Sequence, residues 1–179
     1  MAEEFDWKFP VTLSNLPPRE TAFELVPDEA ARAWLARRAG VPAIPRLIAR
    51  LKVQPEGREG AAVQGSIEAT VRQTCVVTLE SFDNEIHEPI ALRFEPAEAV
   101  AARPPQAEEV VGEDPPEPLT DGTLDLAAVV AEFLILSIDP YPRRPGAVFS
   151  PPGAAEGGKE PSPFAALANL KLGPDGKKQ

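Results

Sequence analysis

One cysteine and one histidine, Cys75 and His87, make the only Cys/His pair available to this chain. A catalytic thiolate needs a base within hydrogen-bond reach and a surrounding charge that lowers the thiol pKa. Cys75 ends an alternating apolar stretch, the setting of a small buried hydrophobe. His87 sits in Glu85-Ile86-His87-Glu88, which reads as a solvated strand edge. A single cysteine also excludes an intrachain disulfide and a multi-cysteine metal site. The carboxylates Glu108, Glu109, Glu113, Asp114, Glu117, Asp121 and Asp125 are diluted by prolines and lack the alternating ligand spacing of a calcium loop. Glu132, beside Phe133, reads as an exposed helix residue rather than a buried acid. No Gly-rich phosphate loop, serine elbow or zinc-spaced cluster is present. The expectation is therefore no catalytic residue, no cofactor and no metal.

Two features point to binding. Arg46, Arg50 and Lys52 alternate along one strand and project from one face, where each could neutralise a phosphate. The competing expectation, and the stronger one, is pairing across the sheet with acids such as Glu68, Glu85 or Glu88, since the whole chain carries a net charge of −10. The second feature is Pro161-Ser162-Pro163-Phe164-Ala165-Ala166-Leu167-Ala168-Asn169-Leu170-Lys171. Ser162 suits an N-cap and Pro163 the first helical position. A helix of about ten residues is marginal alone in water, so Phe164, Leu167 and Leu170 are expected to form a docking face, on this protein or on a partner. The partner is slightly favoured because a Gly/Pro-rich tether precedes the segment.

The elements that would position these residues can be read from periodicity. Residues 21–26 suit a short strand. Asp28 then caps a helix whose apolar positions are Ala31, Trp34, Leu35 and Ala39, with Arg37 and Arg38 in its last turn and Gly40 closing it. Beyond Pro45 the period becomes two: Leu47, Ala49, Leu51 and Val53 on one strand, Val63, Ile67, Ala69 and Val71 on the next. Pro55-Glu56-Gly57-Arg58-Glu59-Gly60 is the turn of an antiparallel hairpin. Residues 81–84 read as a second reversal, after which Ile90, Leu92 and Phe94 resume the pattern. Asp125 caps a second helix, with Leu126, Val129, Val130, Phe133, Leu134 and Ile138 on a broad apolar arc that Pro140 and Pro142 terminate.

These elements imply an α+β fold with an antiparallel sheet, barrel-like if its edges meet, and two main helices. The 179 residues suit a single domain over residues 1–149, interrupted by an acidic, Pro-rich linker at 96–120. A tether at 150–162, a short helix at 163–172 and a disordered tail at 173–179 complete the expected organisation. Acidity is concentrated in the middle: residues 61–148 hold 16 acidic and 5 basic side chains, whereas residues 32–58 hold seven basic and one acidic. The acidic start Met1-Ala2-Glu3-Glu4-Phe5-Asp6-Trp7 lacks the character of a signal peptide, and no apolar run approaches the roughly twenty residues of a membrane span. A cytoplasmic protein with no membrane contact is expected.

Three blocks together carry a resemblance: Val71-Arg72-Gln73-Thr74-Cys75-Val76-Val77-Thr78-Leu79-Glu80, Gly122-Thr123-Leu124-Asp125-Leu126 running through Glu132 to Pro142, and Pro163-Phe164-Ala165-Ala166-Leu167 to Lys171. In this order and spacing the sequence resembles the YceD family of large ribosomal RNA subunit accumulation proteins. The resemblance implies a bacterial, non-enzymatic factor for 23S ribosomal RNA accumulation or processing and large-subunit assembly. Its expected partner is a large-subunit precursor, through ribosomal RNA or an assembly protein. Many relatives carry a Cys-x-x-Cys pair where this chain has Cys75 and Thr78, so a metal role does not carry over. A small-ligand-binding barrel is the alternative from a different class.

Overall fold

The computed structural model describes residues 7–57, 59–102 and 115–149. A five-stranded sheet runs in the order β2 (Thr21–Leu25), β3 (Ala43–Glu56), β4 (Gly60–Thr74), β5 (Ser81–Pro96) and β6 (Glu117–Leu119). Its neighbours are antiparallel except β6, which runs parallel to β5. A separate ladder pairs β1 (Pro10–Thr12) with β7 (Thr123–Asp125). Three helices complete the fold: α1 (Glu29–Ala39), α2 (Ala97–Ala101) and α3 (Leu126–Ser137).

The period of two decides which face is wet. Leu47, Ala49, Leu51 and Val53 of β3 and Val63, Ile67, Ala69 and Val71 of β4 are all buried. They face one core with Leu35 and Ala36 of α1 and Leu126, Val130 and Leu134 of α3. Arg46, Arg50 and Lys52 alternate out of that core. Close strand packing is tightest at Gly65, where a Cβ would overlap the carbonyl oxygen of Arg50 and sit 2.9 Å from the Leu51 Cα.

Caps fix the helices where the sequence places them. The Asp28 carboxylate accepts the Ala31 N–H at 2.8 Å, and Gly40 closes α1 at φ 68° in the left-handed region. Asp125 accepts the N–H groups of Ala127 and Ala128 at the start of α3 and also that of Phe9 at 2.9 Å. One carboxylate thereby caps a helix and ties the N-terminal segment to it.

Several expectations are corrected. The sheet does not close into a barrel: β2 and β6 are its two edges, each only a few residues long, and helices cover its apolar face. The reversal expected at residues 81–84 lies instead at 75–80, because Asp83 is paired with Arg72 and Asn84 with Val71 within the β4–β5 ladder. The stretch expected as a linker is regular at both ends, through α2 and β6, while residues 103–114 lie outside the described residues. The tether, the terminal helix with Phe164, Leu167 and Leu170, and the tail also lie outside them.

Candidate functional site

The outer sheet face carries the basic strand. Cross-strand register places Glu24 directly opposite Arg50 and Glu68 opposite Ile48, diagonal to both Arg46 and Arg50. Such neighbours are within reach of long side chains. Arg46 bonds Glu68 at 3.2 Å, Arg50 bonds both Glu68 and Glu24 at 3.0 Å, and Lys52 meets Glu20 at 2.9 Å. The hydrogen bond from Arg46, with the charge of Arg50, holds the Glu68 carboxyl below the usual range. Further along, Arg72 makes a two-pronged contact with Asp83 at 2.8 and 3.0 Å. Cross-strand pairing is therefore the arrangement found, with Glu68 among the acids anticipated. Glu20 and Glu24, from the segment preceding α1, were not anticipated. Thr70 of the same face bonds Glu85 at 2.9 Å.

Cys75 and His87 do not form a pair. Ser81 stands opposite Thr74 and His87 opposite Glu68, so six residues of strand separate His87 from the turn, roughly 20 Å at about 3.4 Å per residue. His87 faces solvent, whereas Cys75 is fully buried. Glu132 is exposed.

Cys75 instead organises two facing turns. In the first, Leu79 N–H bonds the Cys75 carbonyl and Cys75 N–H bonds the Glu80 carbonyl, each at 2.9 Å, with Leu79 at φ 60°. In the second, Ala147 N–H bonds the Arg144 carbonyl at 3.0 Å and Gly146 sits at φ 77°. The turns are joined by Val76 N–H to the Pro142 carbonyl at 2.9 Å and by an ion pair of Arg144 with Glu80 at 3.0 Å. The Cys75 Sγ accepts the backbone N–H groups of Thr78 and Arg144, each at 3.4 Å. The Thr78 hydroxyl and then the Arg144 N–H lower the Cys75 thiol pKa from 9.0 to about 6. Below the turns, buried Gln73 donates to the Asp139 carbonyl at 2.8 Å and accepts from Asn84 at 3.2 Å. These residues do not fit a metal ion: Thr78 offers a hydroxyl where a second thiolate would be needed, and main-chain N–H groups occupy the lone pairs of Sγ. Among the described residues no three His, Cys, Asp or Glu side chains gather in a way that could hold one.

Beside the paired turns the surface forms a groove. One cleft of about 330 Å³ lies between residues 39–42 and 138–142. A second, of about 430 Å³, shares Val41 and Pro42 with it and extends to Arg32 and Arg37. Tyr141 is 74% exposed, and Arg143 beside it is exposed too. Sequence reasoning treated Arg37 only as a helix-end residue and passed over Tyr141-Pro142-Arg143-Arg144-Pro145-Gly146. The signal was an aromatic and two arginines held in a proline-braced, glycine-closed turn.

The paired turns, β4, β5 and α3 are the parts of this chain that recur elsewhere. Residues 63–171 match the profile described as large ribosomal RNA subunit accumulation protein YceD. The chain belongs to the YceD family. The YceD match begins in β4, takes in both turns and α3, and continues through Phe164, Leu167 and Leu170. No curated protein and no solved structure matches the chain significantly. Among the described residues no helix is long and apolar enough to cross a membrane.

Proposed function

We propose that this chain is a non-enzymatic binding factor for accumulation of 23S ribosomal RNA and assembly of the large ribosomal subunit in the bacterial cytoplasm. The observation that carries the reading is the YceD match over residues 63–171. It spans the rigid turns around Cys75 and also the apolar terminal segment, so the shared unit includes both a folded platform and a candidate arm. In this reading Phe164, Leu167 and Leu170 form the arm's docking face on the large-subunit precursor. Burial of three such side chains contributes about 1.5 to 3 kcal/mol each before ordering costs. Arg46, Arg50 and Lys52 serve chiefly to set sheet register, because their charges are already met by Glu68, Glu24 and Glu20. The ligand-binding barrel loses its basis in an open sheet whose apolar face is filled by α1 and α3.

Sedimentation of a cell extract through a sucrose gradient tests the proposal. The full chain is expected to travel with precursors of the large subunit, and Phe164→Ala/Leu167→Ala/Leu170→Ala to shift toward the top. A wild-type chain found only at the top, in extracts that contain such precursors, would contradict it.

A further inference from the structure

The cations of this molecule differ in whether they are spent. Those on the outer sheet face are held by carboxylates, whereas among the described residues neither Arg37 nor Arg143 has a carboxylate partner. Arg37 lines the groove that joins the end of α1 to the paired turns, and Arg143 stands on the turn that borders it, next in sequence to the wall residue Pro142. Arg37 lines the cleft of about 430 Å³ beside Arg32, whose guanidinium bonds the Pro27 carbonyl at 2.7 Å. Arg143 follows Pro142, a wall residue of the cleft of about 330 Å³, and the exposed Tyr141 precedes it. The carboxylates of the groove are Glu29 at one end and Asp139 at the other, and Asp139 is engaged by the Tyr141 N–H at 2.8 Å.

We infer that this groove, from Arg37 across Val41 and Pro42, together with the exposed Tyr141 and Arg143 of the turn at its border, is a track for single-stranded RNA, with phosphates on the two arginines and a base stacked on Tyr141. The inference rests on the proposed role in large-subunit RNA accumulation and assigns the surface that would carry it. Three observations favour RNA over a protein helix. The walls mix small side chains such as Ala39, Gly40 and Thr74 with the apolar Val76 and Ile138 and the polar Gln73 and Asp139, which is not the continuous apolar socket that a helix face needs. An exposed aromatic beside arginine suits base stacking, which is tolerant of sequence. The turn bearing Tyr141 and Arg143 is fixed by Pro140, Pro142 and Pro145 and by its bonds to Val76 and Cys75, so binding need not order it. A net charge of −10 repels a polyanion from most other faces, which confines RNA to the region where positive charge is unopposed.

The test uses the full chain and a labelled single-stranded RNA 20-mer of mixed sequence, with affinity measured across a range of salt. Arg37→Gln/Arg143→Gln is expected to weaken binding about tenfold and to make the salt dependence shallower by about 1.4 in logarithmic slope, for two phosphate contacts. Tyr141→Ala is expected to weaken it at least fivefold with the slope unchanged, since stacking releases no counterion. Arg46→Gln/Arg50→Gln/Lys52→Gln should stay within about twofold of wild type. Wild type and the two groove variants should melt alike, the substituted side chains being exposed, while the sheet variant, which loses its cross-strand ion pairs, should melt slightly lower. RNA binding by wild type that the groove variants leave intact would overturn the inference, as would equal loss in both arginine sets. No RNA binding by a wild-type chain that still sediments with large-subunit precursors would also overturn it, leaving the assembly role standing with a protein as partner. Absence of both would overturn the assembly role itself.

Discussion

The outer sheet face and the paired-turn end are similarly rich in arginine, yet they differ in the potential they present. On the sheet, antiparallel register fixes who stands beside whom, and each of Arg46, Arg50, Lys52 and Arg72 finds a carboxylate on the adjoining strand or the residue leading into it. At the turn end, among the described residues, Arg144 is tied to an acid, Glu80, and Arg37 and Arg143 are not. A run of cations in a sequence is therefore not a basic surface. What decides it is whether the fold brings carboxylates alongside, and a ladder of alternating strands does so more readily than a helix end meeting a proline-braced turn.

The comparison can be broken most severely at Gly65. It lies on β4 opposite Leu51 of the basic strand, and Gly65→Ala would drive a methyl group into the Arg50 carbonyl and the Leu51 backbone. A cost of about 3 kcal/mol or more is expected, read as a large fall in urea midpoint, with the sheet pairs lost together. A midpoint within experimental error of wild type would show that β3 and β4 are less tightly apposed than described.

A smaller effect is expected where the turn end is fastened to the sheet. Gln73→Ala leaves the Asp139 carbonyl and the Asn84 amide without their buried partner, at a cost of about 1–3 kcal/mol. Hydrogen exchange should then quicken at Val76 and Arg144, whose N–H groups join the two turns, and remain slow in the centre of β4. Uniform acceleration would deny the turn end its separate identity.

Cys75 gives the turn end a pH signature in the neutral-to-alkaline range, whereas the lowered carboxyls of Glu68 and Asp83 put that of the sheet face in the acid range. Its thiol pKa falls from 9.0 to about 6 through the Thr78 hydroxyl and the Arg144 N–H, so the folded state favours the thiolate. Its contribution is fully present above about pH 9, declines as pH falls, and is gone below about pH 6. Urea midpoints of wild type should therefore rise between pH 6 and pH 9 by more than those of Cys75→Ala. Parallel profiles would contradict the hydrogen-bonded thiolate. Because Cys75 is fully buried, alkylation by iodoacetamide is expected to be slow in the folded protein despite that charge.

The smallest effect should convert one region toward the other. Glu68→Gln removes the charge shared by Arg46 and Arg50, and RNA affinity is expected to rise by about twofold with a slightly steeper salt dependence. An unchanged slope would mean that the sheet face is excluded from RNA for reasons other than its paired carboxylates.

Much of this frame was legible because local signals agreed with the fold. Asp28 and Gly40 bounded α1, Asp125 capped α3, and alternation in residues 47–53 and 63–71 set the buried face, since each of these rests on neighbours a few residues apart. What was not legible depended on distant partners. The β1–β7 ladder joins residues separated by more than a hundred positions, and β6 is three residues with no period to detect. Residues 81–84 are polar enough to resemble a turn, yet they are strand because Arg72 and Asp83 pair across the ladder. The same limit governs the site. The arginines of β3 were visible as a pattern, whereas their neutralisation by Glu24 and Glu20 required knowing that β2 lies beside β3. Arg37 lines a groove that ends at Pro142, beside Arg143, only because α1 ends beside the turn that follows α3.

The account's central claim is that this chain supports large-subunit RNA through the turn end and not through the outer sheet face. The ratio of 23S to 16S ribosomal RNA, measured in cells lacking the chain and supplied with each variant at equal protein level, tests it most directly. The ratio should be low without the chain, restored by wild type and by Arg46→Gln/Arg50→Gln/Lys52→Gln, and left low by Arg37→Gln/Arg143→Gln. Restoration by the groove variant together with failure of the sheet variant would contradict the account.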